Sequence, residues 1–244
     1  MIKFFRKIRY NLMEQNKTVK YFKYALGEII LVVIGILIAL SINNWNEHQK
    51  NIKKGHEILT DIRGNLQFNT IQFQEDITIT KDVISSIDIV LNNIAITKIY
   101  NDSLGKHLRR VTYWETSRWK SSGYKAIISN GVEIIESKEL RENIIDLYEI
   151  TYPEIAEYTR LSEGNFPTIL PKWLELIERE SNDFKNYYEN ISRPFDYQEI
   201  IDSRMFKSIL TFLRSQRIVD IQLRNIGIEK NKELIKLIDI ELLK

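Results

Sequence analysis

The chain has 244 residues, no cysteine, nine glycines, four prolines and a formal net charge of +2. Absent cysteine excludes a disulfide framework, a thiol nucleophile and a lipidated cysteine. Seven basic side chains against Glu14 give residues 1–24 a charge of +6 and leave −4 on residues 25–244; a nucleic-acid partner, which needs cations clustered on the folded domain, is therefore disfavoured.

The opening "MIKFFRKIRYNLM" is patterned. On a helical wheel Phe4, Phe5, Ile8 and Leu12 share one side, and Lys3, Arg6 and Lys7 the other. Residues 1–17 are expected to form a basic amphipathic segment lying on an anionic inner leaflet. A basic tail that only sets topology is the simpler alternative.

A transmembrane helix is predicted over 18–46. From Tyr24 to Asn46 the only charged residue is Glu28. That stretch covers about 34 Å at the helical rise, enough for a hydrocarbon core of about 30 Å. Ile29 to Ile42 is apolar on every side, where a soluble amphipathic helix would carry a polar stripe. Tyr21, Phe22 and Tyr24 at one end and Trp45 at the other match an aromatic belt. Ala39-Leu40-Ser41 resembles a signal-peptide cleavage site, but a basic region of this length argues against cleavage. The charge asymmetry puts the N-terminal side in the cytoplasm and the bulk of the chain across the membrane, although Lys50, Lys53 and Lys54 weaken that vote.

Two features of the span carry functional expectations. Gly27, Leu31, Gly35, Ala39 and Asn43 are successive i+4 steps, a small-residue face suited to self-association, with Asn43 able to bond across helices. Such residues are also common in membrane helices generally. Glu28 lies one turn beyond Tyr24, near the edge of the hydrocarbon. It is either tolerated by reaching headgroup water or paired with Lys20 or Lys23 of a neighbouring chain or partner; ion handling is a third option.

Residues 47–244 are expected to form a helical extramembrane domain. Leu59, Leu66, Phe73, Thr80, Ile87 and Ile94 recur every seven residues, with Ile62, Ile77, Ile84 and Leu91 beside them. That is the packing face of a long helix in a bundle or coiled coil. Asn69 and Thr80 interrupt it, and "ITITKDVISSIDIV" has some strand character. Short helices follow, with a stop at Asn130-Gly131 and an N-cap at Ser137. Pro153 opens another helix. "SEGNFPTILP" is predicted to be a loop, and a further helix to run from Pro171 to Asn190. In the last helix Ile221, Ile228, Ile235 and Leu242 fall seven apart. Arg224 and Asn231 spoil its second seam, so it should pack against the chain's own long helix.

"MIKFFRKIR", "KYFKYALGEIILVVIGILIALSINNWNE", "SSGYKAIISN" and "LRENIIDLYE" resemble single-pass membrane proteins of unknown function common in Bacteroidota. The resemblance implies a bacterial inner-membrane protein with a helical periplasmic domain. It implies no reaction, cofactor or catalytic residue.

The fold expectation is therefore mainly α, one N-terminal transmembrane helix followed by a periplasmic long-helix bundle. The chain lacks phosphate-loop, dinucleotide, nucleophile-elbow and HExxH motifs. His48, His56 and His107 lack the tight spacing of a metal site, and pairs such as Glu133/Glu136 fit a solvated face. No cofactor or metal is called for. Tyr113, Trp114, Trp119 and Tyr124, with Arg118 and Lys120 among them, would line a pocket for an anionic or planar ligand, or else pack as large core pieces. The leading expectation is an envelope interaction, scaffold or regulatory subunit that binds the bilayer, associates with itself and joins a larger envelope complex. An oligomeric pore or ion-driven motor component using Glu28 is the alternative, and an enzyme is least favoured.

Overall fold

A computed structural model describes residues 18–114, 116, 118–179 and 191–244. The expected amphipathic segment 1–17 lies outside the described residues. The chain is mainly helical and divides into two compact units, residues 1–54 and 55–244. Helix α1 (Thr18–Asn92) contributes to both.

In the first unit the side chains from Ile29 to Ile42 all face outward. Leu31 is 70% exposed and Ile42 61%. Among the described residues nothing covers this stretch, which is long and apolar enough to cross a membrane. A soluble core helix of the same composition would be mostly buried.

The second unit is built on the remainder of α1. A π-helical turn (Asn93–Thr97) ends that helix, and Lys98 closes it in the left-handed conformation. Then come α2 (Asp102–Val111), α3 (Ser122–Asn130) and a short 3-10 turn (Val132–Ile134). Asn101 caps α2 by accepting from the Leu104 N–H. Gly131 ends α3 at φ +89°, a backbone conformation that favours glycine. Ser137 caps α4 (Lys138–Asp146). A second π turn (Leu147–Thr151) joins α4 to α5 (Tyr152–Gly164) without a break. Pro153 sits immediately beyond this wide turn, where its missing N–H and its ring are accommodated.

Two expectations are corrected in the next segment. The "SEGNFPTILP" stretch is not a loop: α5 runs to Gly164, and α6 (Phe166–Leu174) starts two residues later. Pro167 occupies the first turn of α6, where no N–H donor is needed, and Pro171 lies inside it. The helix expected from Pro171 to Asn190 stops at Leu174. Ile177–Arg179 (β1) pairs antiparallel with Ser192–Pro194 (β2), with buried Ile177 opposite Pro194. Residues 180–190 lie outside the described residues. A short α7 (Tyr197–Asp202) and the long α8 (Arg204–Leu242) complete the unit.

The two long helices are antiparallel in one register. Arg63 meets Asp239, Thr70 meets Asn231, Asp76 meets Arg224 and Asp88 meets Arg214. As the number on α1 rises, its partner on α8 falls by a similar step.

The first α1 seam is as expected: Leu59, Leu66, Phe73, Thr80, Ile87 and Ile94 are all buried. The second is displaced. It consists of Ile62, Asn69, Asp76, Val83 and Val90; of the expected residues Ile62 and Ile77 are buried, while Ile84 and Leu91 are only half-buried. On α8 the buried rows are Leu210, Arg217, Arg224, Asn231, Ile238 and Leu213, Asp220, Gly227, Leu234. Of the expected α8 seam only Ile228 is fully buried. The residues that seemed to spoil the pattern are the seam, because Asn69, Asp76, Arg224 and Asn231 each find a polar partner within the bundle.

Two apolar cores result. One holds Leu59, Ile62, Leu66, Phe73, Ile144, Tyr152 and Ile238. The other holds Ile87, Val90, Leu108, Trp173, Phe206 and Leu210. Along both α1 and α8, buried polar residues fall between them.

Candidate functional site

The layer between the cores is ionic. Asp76 on α1 and Arg224 on α8 are fully enclosed. Arg224 Nε stands 3.4 Å from Asp76 Oδ2, and Nη1 of the same guanidinium pairs with Asp220 one turn earlier on α8. Gln72 Nε2 donates to the other Asp76 oxygen at 3.0 Å. Buried charges persist only when paired and hydrogen-bonded, and this group meets that condition with two carboxylates around one guanidinium.

Arg217, one heptad from Arg224, is buried separately. Its Nη2 donates to the Tyr113 carbonyl at 2.7 Å, and its guanidinium lies 3.4 Å from the centre of the Trp114 ring. Burial pulls Arg217 down to about 9, with Tyr158 opposing the drop and Arg224 adding to it. It remains cationic at neutral pH, held by the ring face and the carbonyl.

A relay of neutral groups adjoins the ions. Asn69 accepts from the Lys120 N–H at 2.7 Å. Its amide N–H groups point to the Lys120 carbonyl and the Tyr152 hydroxyl, each at 3.0 Å. Tyr152 donates to Asn231 Oδ1 at 2.8 Å, and Asn231 donates to Thr70 Oγ1 at 3.2 Å. Burial raises the Tyr152 hydroxyl to about 12 against the opposing effect of its two amide partners, so it stays neutral. The relay ties α1, α5, α8 and the segment before α3 together.

Asn65, one turn before Asn69, caps α3 from outside. Its Oδ1 accepts from Ser122 Oγ and from the Gly123 N–H, both at 3.1 Å. Gly123 lies so close to α1 that a Cβ there would fall 2.6 Å from Ile62 Cγ1. This explains the Ser122-Gly123 pair in "SSGYKAIISN": one residue hydrogen-bonds α1 and the other leaves room for it.

The aromatic and basic residues expected to share a pocket fall in different places. Tyr113 and Trp114 attend Arg217. Arg118 is exposed. Trp119 packs on Tyr152 at 5.3 Å, and buried Tyr124 stacks on Tyr148 at 4.7 Å. Tyr124 also donates to Glu149 at 2.6 Å. Trp119, Tyr124, Tyr148, Lys125, Ile128 and Glu149 line a shallow open groove beside the second π turn. Burial, then the neighbouring Tyr152, pushes the Tyr148 hydroxyl up, so it is neutral too.

In the first unit, Gly27, Leu31, Gly35, Ala39 and Asn43 are all exposed. A Cβ at Gly27 or Gly35 would meet nothing within 4 Å. Asn43 Nδ2 reaches Glu47 Oε1 at 3.5 Å. Glu28 is half-buried and takes part in an interaction within the chain. His107 Nδ1 lies 3.1 Å from Ser86 Oγ. Among the described residues no three His, Asp or Glu side chains gather in a metal-holding group.

Sequence reasoning passed over Asp76, Arg217, Asp220 and Tyr152. A signal was present: Asn69 and Asp76 are seven apart, as are Arg217, Arg224 and Asn231. Polar residues at the seam spacing on two helices should be sought as partners before being read as interruptions. No curated protein and no solved structure matches the chain. Residues 28–170, more than half of the chain, match a family of unknown function, DUF6090, and the chain belongs to that family.

Proposed function

We propose that the chain is a single-pass inner-membrane protein that acts as an envelope interaction, scaffold or regulatory subunit through its helical domain. The observation that carries this is the bare apolar surface of α1 from Ile29 to Ile42, which water solvates poorly and lipid covers. The +6 charge on residues 1–24 supports a cytoplasmic N-terminal side and a periplasmic domain. The buried polar layer supports a binding rather than a chemical role. Its carboxylates are engaged by Arg224 and Gln72, and its hydroxyls are held neutral by burial.

Affinity purification of the tagged full-length chain from native membranes tests the reading. One larger envelope protein in fixed stoichiometry is the expected result. Recovery of the chain alone, as a ring of five or more copies about an axis, would favour the pore or motor reading with Glu28. Recovery in the soluble fraction would overturn both. Side is tested independently by fusing a reporter active only in the periplasm after Lys244; activity there is expected, and silence would reverse the topology.

A further inference from the structure

Beside its two buried rows, α8 carries a third apolar row that stays in the open. Met205, Phe212, Val219 and Ile226 fall seven apart and are between 36% and 50% exposed. Ser208, Ser215 and Gln222 each stand three residues after one of them and are exposed as well. Large apolar and smaller polar residues thus alternate at the 3-4 spacing of a coiled-coil seam, and the shape that fits such a seam is another helix. Met205 and Phe212 also border an open groove against α6, with Thr168 and Ile169, which leaves a neighbouring helix room to approach.

The charges on this face are as telling as the spacing. A helix that ends at water carries charged residues on its outer side, and 28% of this chain is charged. From Ser208 to Ile228, about six turns, the charged residues are Arg214, Arg217, Asp220 and Arg224. The last three are buried in the bundle, and Arg214 is held by Asp88 of α1 at 2.7 Å. The open side of these turns therefore offers serine, threonine, glutamine, asparagine and apolar side chains alone. Depletion of charge marks the centre of a protein interface rather than a solvated face.

We propose that this row is the contact between α8 and the α8 of a second copy of the chain, parallel and in register about a two-fold axis. The parallel direction rests on the single-pass reading above: copies that enter one membrane the same way are related by an axis along its normal, and helices that meet along that axis run parallel. A parallel contact sets every residue against its own copy, so any charge on the row would face a like charge. A row without charge over six turns meets that condition, whereas a foreign partner recognised by its charge would find nothing here to pair with. Phe212 meets Phe212 and Val219 meets Val219, while Ser208, Ser215 and Gln222 fill the layers between them.

The chain has no cysteine, so single cysteines report self-contact cleanly. In the full-length chain in native membranes, Ser208→Cys, Ser215→Cys and Gln222→Cys should each give a disulfide-linked dimer under mild oxidation. Lys207→Cys, on α8 but off the row, should stay at background. Val219→Glu or Val219→Lys, added to Ser215→Cys, should lower closure at least about tenfold, because like charges then face each other. Co-expressing the two, each with its own tag, should restore closure between unlike copies. All three row cysteines at background in a membrane-inserted chain overturn the contact and leave the membrane reading standing. Closure of Ser215→Cys alone overturns the parallel direction, since an antiparallel pair brings only the middle of the row against itself. An adduct with a different protein at Ser215→Cys also overturns the proposal, as does failure of the unlike charges to restore closure. If a charged variant loses its helical signal, the row cysteines decide by themselves, for they replace exposed residues. Recovery in the soluble fraction would overturn the membrane reading, and the same cysteines would then still decide the contact.

Discussion

The Asn69 amide and the Tyr152 hydroxyl lie 3.0 Å apart in a fully buried position, although 83 residues separate them in the chain. Tyr152 donates in turn to Asn231 Oδ1 at 2.8 Å, so one hydroxyl links the two long helices through α5. Replacing Tyr152 by Phe keeps the ring packed edge-on against Phe73 and Tyr148 but leaves both amides short of a partner. Unmet buried polar groups cost about 1–3 kcal/mol. Denaturant unfolding of the full-length chain in detergent should show a loss of that size. A loss within error would mean that the relay adds nothing beyond ring packing.

Two glycines predict opposite signs. Gly123 faces α1 with Ile62 N only 2.7 Å from the position of a new Cβ. Gly123→Ala forces α3 away from α1 and strains the Asn65 cap, a loss of about 1–3 kcal/mol by overpacking. Gly64 sits within the same long helix with nothing within 4 Å of its Cβ position. Gly64→Ala should stabilise by about 0.5–1 kcal/mol through helix propensity. Shifts of equal sign in the two unfolding curves would contradict the close approach of α3 and α1.

Acid should weaken the second unit in a defined window. Burial first, and the charge of Arg110 second, hold His107 below its ordinary value of 6.5. The unfolded chain therefore binds a proton that the folded chain resists. Stability is full above the ordinary value, falls as pH drops through it toward the lowered folded value, and levels off below that. His107→Gln removes the titration while keeping a group able to meet Ser86. Between about pH 7.5 and about pH 5.5 the unaltered chain should lose more stability than His107→Gln. Parallel losses in both chains would assign the acid response to other groups.

The first seam of α1 was legible in the sequence because its residues, Thr80 apart, are large and apolar at strict seven-residue spacing. The caps at Ser137 and Gly131 were legible because their chemistry is local. The second seam was not. Asn69, Asp76, Arg217 and Arg224 look like surface residues until their partners on other elements are known, and those partners lie 51 to 148 residues away. Pro167 and Pro171 suggested a loop, yet Pro167 falls in the first turn of a helix, where proline is tolerated, and Pro171 is carried inside the same helix. Of the expected aromatic pocket only Trp119 and Tyr124 meet in one groove, for a similar reason. Trp114 and Trp119 are near in sequence, but one is drawn to Arg217 and the other to Tyr152.

The small-residue face of the proposed span makes the last prediction. Gly27, Leu31, Gly35, Ala39 and Asn43 lie one turn apart on an exposed helical surface. Among the described residues nothing lies within 4 Å of a Cβ added at Gly27 or Gly35. Gly35→Ile therefore leaves the packing within one chain untouched, and any effect on assembly must arise between chains. Membrane helices associate by close van der Waals approach at small residues, and a branched side chain there holds the backbones apart. Gly35→Ile with Ala39→Ile should leave membrane insertion intact and may be compared directly with the unaltered chain by crosslinking in native membranes. The expected result is loss of the oligomer ladder at equal expression. An unchanged ladder would move the contact away from this face, while a chain that no longer inserts would show that the substitutions act on the span itself.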